Sequence, residues 1–303
     1  MVTDDPHHAL TNSTALRLLT VAATLVVAAT VVACGDGAEP TATTRLAPTA
    51  STTTTTALAP SPTSPAPGRS DLQTVLDRGA SFVTRQFASI DIASGSLFEY
   101  LHRRWEITGL ADAGQAVQKR LSTASLDEEE LLLMRLADPA APPVPVPADT
   151  EPTTAVIAPA TQCDRVPLTD GDVTRLGSLV AGGGYETTHA GLAIGFMVEL
   201  GCEIPADIRQ NVLDSMADEL GKASASEDPP TDLAAEQSAI LSYLGAPQLI
   251  PVGWYNRLLD TQRSDGGWGP AHTPSTWHMT LLAMWTLAAN SSPGNPVGII
   301  APR

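Results

Sequence analysis

From about residue 70 onward, apolar side chains recur three and four positions apart, and no stretch shows the strict alternation of a half-buried strand. That periodicity confines the chain to helices packed on helices, an all-α class. Leu72, Val75, Leu76, Val83 and Phe87 share one helical face behind Ser70-Asp71-Leu72-Gln73, which reads as a capping box. Further helices are predicted at about 95–107, 112–123 and 126–137, the last opened by Ser125 and Glu128 and ended by Pro139. After a second Pro-rich stretch, Val173, Leu176, Leu179 and Val180 fall in phase behind Thr169 to Asp172. Helices then follow at about Thr188–Leu200 with Gly201 as stop, 205–220 with Gly221 as stop, 232–244, 251–261 and 276–289. Short connections in this half favour antiparallel neighbours.

The segment before these helices is of another kind. Leu18 to Ala33 carries no charge and only Thr as a polar group, with Arg17 directly before it. A short apolar run, a basic flank and small residues at its end are the physical parts of a signal peptide, here 1–33. Val31-Val32-Ala33-Cys34 resembles the lipobox of bacterial lipoproteins. The resemblance implies that Cys34 is acylated on its thiol and that the chain is held on the extracytoplasmic face of the membrane by lipid, with palmitate among the acyl groups. Two or more acyl chains give stable anchoring where one is marginal. An uncleaved signal anchor over Ala15–Ala33 is the alternative, and it too leaves the rest of the chain outside, because the positive flank stays in the cytoplasm.

Residues 34–69 hold the modified cysteine and a linker that from Ala38 to Gly68 is almost entirely Thr, Ala, Pro and Ser. Such a segment cannot bury enough surface to offset its ordering entropy, so it reads as a disordered spacer stiffened by proline. About 230 residues remain, enough for a substantial core. They divide into an N-terminal helical part (70–138), a Pro-rich connector (139–160) containing Pro142-Pro143-Val144-Pro145, a C-terminal part (161–292) and a tail (293–303). The connector is either an exposed excursion or a boundary between subdomains.

Charge and cysteines narrow the function. With 17 Lys+Arg against 33 Asp+Glu, the net charge is −16, and no basic stripe offers itself to phosphate or to anionic lipid. Nucleic acid is therefore excluded as a partner. Of the three cysteines, Cys163 and Cys202 remain once Cys34 is lipidated, and an even remainder outside the cytoplasm points to one disulfide, with two separate buried thiols as the alternative. No CxxC or other metal-ligand spacing stands out, so neither metal nor cofactor is read from the sequence.

Two segments share a theme. Gly182-Gly183-Gly184-Tyr185-Glu186-Thr187-Thr188-His189 leads into an apolar helix, and so does Gly266-Gly267-Trp268 with Ser275-Thr276-Trp277-His278. Repeated helix pairs suggest a closed or partly closed ring. Leu258 to Trp268, with Gln262, Gly266, Gly267 and Trp268, resembles the QW motif of the terpenoid cyclase and protein prenyltransferase superfamily. Those proteins are α/α toroids, in which inner and outer helices alternate around a funnel. The resemblance implies that Gln262 ties helix ends together while Trp268 covers the turn, and that the domain is a partial, toroid-like array of helical hairpins. The chemistry of that superfamily is not implied. The cyclase acid motif DxDD is absent, and neither Cys163 nor Cys202 has the Asp two residues before it that accompanies the prenyltransferase zinc cysteine. Fold likeness alone says nothing of activity.

On the toroid reading, Tyr185, Glu186, His189, Asp265, His272 and His278 gather near a funnel able to bind glycans or metals, with Glu186 or Asp265 as acid or base beside a histidine. Each also has a plain structural reading. Thr188 and Thr276 are helix caps, the histidines are satisfied residues, Asp265 forms a turn, and Glu186 complements a helix N-terminus. Two functions stand: a non-catalytic lipoprotein that binds an envelope protein or glycan, which is preferred, and an extracytoplasmic enzyme acting on carbohydrate or an isoprenoid-linked substrate.

Overall fold

The computed structural model describes residues 69–300, apart from residues 123–125, 127, 227 and 293. The leader, Cys34, the linker up to residue 68 and the cap at Ser125 lie outside these residues. Eleven α-helices run through the described residues, and no named strand occurs among them. They are α1 Arg69–Gln86, α2 Ile92–Trp105, α3 Ala113–Leu121, α4 Glu128–Leu132, α5 Thr154–Ala160, α6 Asp170–Gly182, α7 Gly184–Leu200, α8 Ala206–Ala225, α9 Asp232–Tyr243, α10 Val252–Asp260 and α11 Trp277–Ser291. The all-α class is thus established. No described helix is long and apolar enough to cross a membrane.

Most boundaries follow local chemistry. Thr169 caps α6 in a reciprocal box with Asp172, whose carboxylate accepts the Thr169 N–H at 2.8 Å. Gly201 ends α7 with φ 70°, a left-handed conformation that costs glycine no Cβ clash. Several boundaries differ from the sequence reading. The helix expected at about 126–137 is split into α4 and a 3-10 turn at Met134–Leu136, and α5 lies within the expected connector. α1 already begins at Arg69, so Ser70 lies inside its first turn rather than at a cap. α8 passes through Gly221 to Ala225, because that glycine keeps a helical conformation. α7 begins at Gly184, so Tyr185 to Thr187 are already helical, ahead of the start expected at about Thr188.

From α6 to α11 two kinds of helix alternate. α6, α8 and α10 bury one side, whereas α7, α9 and α11 bury most of their residues. A helix of the second kind must be enclosed by others. Gly195 of α7 faces the Tyr243 ring of α9 so closely that any Cβ would overlap it. At the centre, Tyr100 of α2, Tyr243 of α9 and Trp285 of α11 stack within 6.1 Å of one another, with Phe196 of α7 at 6.3 Å from Tyr243. This core is continuous from Leu72 to Ile299.

The Gln262–Trp268 loop is bonded to α1, the first described helix. Gln262 Nε2 donates to the carbonyls of Gly266 and of Val75, both at 2.8 Å. Val75 lies in the body of α1, so the amide grips a helix side and not the orphaned helix end expected from the motif. Trp268 is fully buried, and its indole N–H donates to Leu258 O at 2.8 Å. Gly266, at φ 90°, meets the Arg78 carbonyl where no Cβ fits. α1 in turn packs on α11.

The Pro-rich segment 139–160 is tied down at its start and ends in α5, whose Ala155, Val156, Ile157, Ala158 and Ala160 are buried. Arg165 donates to the carbonyls of Pro139 and Ala141, and buried Arg135 pairs with Asp164 while donating to Thr161 O at 2.8 Å. Cys163 and Cys202 are bonded sulfur to sulfur with Cα atoms 6.1 Å apart, a pair capable of a disulfide that links the loop after α5 to the end of α7.

Candidate functional site

Contacts at both ends show that α7, α9 and α11 point the same way. Near their starts Tyr185 meets Asp232 and Asp232 meets His278; near their ends Phe196 meets Tyr243 and Tyr243 meets Trp285. The intervening α8 and α10 carry the chain back each time. Three helix N-termini therefore share one end of the bundle. Thr231 caps α9 through Ala234 N and Thr276 caps α11 through Met279 N, each at 3.2 Å.

Side chains four apart on a helix lie one above the other. That rule makes two layers here. In the upper layer, the Tyr185 hydroxyl donates to Asp232 Oδ2 at 3.2 Å, and His278 Nδ1 lies 3.1 Å from both oxygens of Asp232. One turn deeper, His189 Nε2 is 3.8 Å from Glu236 Oε1, and Thr188 Oγ1 is 2.7 Å from the same oxygen. Exposure falls with depth: Tyr185 is 46% exposed, while Glu236 is 4% exposed. The result is a polar cluster that runs inward from a half-exposed phenol to a buried carboxyl. Trp277 stands beside it, its ring edge-on to His278 with centroids 5.5 Å apart.

Burial pushes the Glu236 carboxyl above the ordinary carboxylate range, against the lowering pull of His189, His278 and Thr188. The Thr188 hydroxyl also lies 2.9 Å from Tyr185 O, so its one proton is shared between that carbonyl and Glu236 Oε1. Burial works against a charged His278, but the carboxylate of Asp232 bonded to it prevails, and the ring's pKa is raised. Burial, then Asp232, raises the Tyr185 phenol, which stays a donor. One ligating atom each from Asp232, Glu236 and His278 lies within 4.8 Å of the others, close enough to surround one cation.

Of the residues singled out in the sequence, Tyr185, His189 and His278 come together here. Glu186 does not: it is exposed on the first turn of α7, as its reading as a helix-terminus charge requires. Asp265 is occupied as a turn former, its Oδ1 accepting from Gly267 N at 3.0 Å and Ser275 Oγ at 2.9 Å. His272 sits in the exposed loop before α11 with φ 61°. Thr188 is no helix cap, since it lies within α7 and turns its hydroxyl to Glu236. Sequence reasoning missed Asp232 and Glu236. A usable signal was present, for Glu236 is a carboxylate set among Ala234, Ala235, Ala239 and Ile240 on a helix with little polar surface.

No protein-family model matches this chain, and the searches of curated proteins and of solved structures likewise give no match.

Proposed function

We propose that this chain is a lipid-anchored protein of the bacterial envelope whose helical domain, a partial α/α ring, binds a glycan at the mouth formed by the starts of α7, α9 and α11. The observation that carries the reading is the convergence of Tyr185, His189, Asp232, Glu236 and His278 in one polar cluster from three helices. Its outer edge suits a polyhydroxylated ligand. Tyr185 and Trp277 offer aromatic faces to sugar rings, and Asp232 accepts hydroxyl protons. The anchor rests on Val31-Val32-Ala33-Cys34, and the paired Cys163 and Cys202 suit an oxidising space. The alternation of one-sided and enclosed helices, with α1 packed on α11, supports the ring.

A second reading, carbohydrate cleavage at the same cluster, is favoured by one observation. Oxygens of Asp232 and Glu236 lie within 4.8 Å, near the roughly 5 Å separation of the carboxyl groups in retaining glycosidases. Binding is preferred because both oxygens of Asp232 are engaged by His278, and Tyr185 takes one of them as well, which leaves that carboxylate poorly placed to attack a sugar.

Two measurements test the proposal. Metabolic labelling with a palmitate analogue should mark the wild-type chain in membranes and not Cys34→Ala; an unlabelled wild type removes the anchor. Calorimetry of the full chain in detergent with neutral envelope oligosaccharides should show saturable binding, weakened about tenfold or more by Tyr185→Ala. New reducing ends released in the same mixture would transfer the site to the enzymatic reading, and no saturable binding at all would overturn both.

A further inference from the structure

We infer that Asp232, Glu236 and His278 form a binding site for a divalent transition-metal cation of the zinc type. The inference deepens the reading of the cluster as a ligand site and rests on it. Three observations carry it. The first is position: Asp232 and Glu236 are four apart on α9, hence on one face, and His278 in the first turn of α11 closes over them. Their donor atoms lie within 4.8 Å of one another. Tetrahedral zinc with bonds of about 2.0–2.2 Å sets neighbouring donors roughly 3.4 Å apart. His278 Nδ1 and the Asp232 oxygens already stand 3.1 Å apart, so closing the site is chiefly a movement of the Glu236 carboxyl.

The second observation is independent of the cluster's composition. Glu236 Oε2 is buried and has no hydrogen-bond partner among the described residues, although the other oxygen of the same carboxyl is held by Thr188. Buried polar atoms nearly always have partners, and an orphan oxygen at the inner end of a polar cluster marks a place for a ligand. A cation there satisfies it.

The third is the surrounding shell. The Tyr185 hydroxyl bonds Asp232 and the Thr188 hydroxyl lies on Glu236, which fixes the orientation of both carboxyls as outer partners do in metal sites. His189, at 3.8 Å from Glu236 Oε1, is a positioning residue on the same carboxyl. The donor set selects the ion. An imidazole beside two carboxylates suits zinc and its neighbours, whereas magnesium and calcium prefer all-oxygen sets, and no thiolate is present to favour softer ions. Three protein ligands leave a coordination position open, and with the His278 side chain 39% exposed the ion has an entry path and can meet a ligand oxygen.

The test uses the full chain in detergent, stripped with chelator and titrated calorimetrically with Zn²⁺, then with Ca²⁺. One equivalent of Zn²⁺ should bind, at least tenfold more tightly than Ca²⁺. Glu236→Gln and His278→Ala should each weaken it about tenfold or more, whereas Glu186→Gln should leave it unchanged. Because a Glu236 variant can unfold, Co²⁺ substitution of the wild type gives a second readout: visible absorption bands of a cobalt ion with nitrogen and oxygen ligands. Wild type without saturable Zn²⁺ binding, or folded Glu236→Gln and His278→Ala with wild-type affinity, overturns the inference. Oligosaccharide titrations run with chelator separate the two claims. Glycan binding without metal binding removes the metal and keeps the mouth as a glycan site. Metal binding without glycan binding, with or without added Zn²⁺, keeps the metal and removes the glycan.

Discussion

Trp268 concentrates several constraints in one side chain. Its indole is fully buried, its side-chain N–H is bonded to Leu258 O, and its backbone N–H is bonded to Thr280 Oγ1 at 3.0 Å. It also lies against α1 beside Gly79, where a Cβ would stand 3.1 Å from its ring. Truncating it leaves a cavity and an unpaired carbonyl. Trp268→Ala is therefore expected to destabilise the domain by about 3–5 kcal/mol in chemical denaturation, and an unchanged midpoint would mean that the loop is not held by this ring. Gln262 works differently. It spans from the loop to Val75, a residue far earlier in the chain, so its contribution is to hold α1 in place rather than to fill space. The motif carrying both residues was visible in the sequence. The carbonyl that Gln262 would grip was not, because no local rule pairs residue 262 with residue 75.

Among the elements, the last described residues form a strap across the end of the bundle opposite the cluster. Arg103 donates to the carbonyls of Gly298 and Ile299 at 2.6 and 3.0 Å, Asn295 N donates to Arg104 O at 2.7 Å, and Ile299 N donates to the Glu199 carboxyl. The sequence reading treats 293–303 as a tail with no task, for these residues have no periodicity of their own. Their order comes from partners on α2 and α7. Burial raises the Glu199 pKa above its ordinary value, although Ile299 N, Arg104 and Arg103 pull it down and the Tyr243 and Tyr100 hydroxyls lie nearby. An acid with a raised folded-state pKa gives up its proton more readily when unfolded. Its stabilising contribution is full below the ordinary glutamate value and is lost as pH rises through the folded value. Glu199→Gln should accordingly flatten the decline in stability above the ordinary glutamate range, measured as melting temperature against pH. A variant whose profile parallels the wild type would remove Glu199 as the cause.

For the whole molecule, the Cys163–Cys202 link acts mainly on the unfolded chain. It closes a loop with a sequence separation of 39 and so removes conformations that the unfolded state would otherwise explore. The chain-entropy estimate for such a loop is about 4 kcal/mol. Non-reducing peptide mapping is expected to find the two cysteines in one linked fragment, and Cys202→Ser to lower stability by an amount of that order; free thiols at both positions would reject the link. The same scale accounts for the Pro-rich segment 139–160. Composition alone makes it an excursion or a boundary, yet Arg165 takes the carbonyls of Pro139 and Ala141 and α5 buries its apolar end. Backbone groups that find partners can be ordered without a periodic pattern.

What the sequence alone determined is whatever neighbours in the chain decide among themselves. Helical class, most helix spans, the Thr169 box, the stop at Gly201 and the turn chemistry of Asp265 all follow from side chains within a few residues of one another. Tertiary structure alone decided which helices are enclosed and which end of each faces its neighbour. Asp232 and His278 lie 46 positions apart, and only the reversals through α8 and α10 bring the starts of α7, α9 and α11 to one place. A carboxylate read in isolation is a helix-terminus charge. Set against a histidine and a phenol from two other helices, it becomes one member of a polar cluster that no local rule assembles.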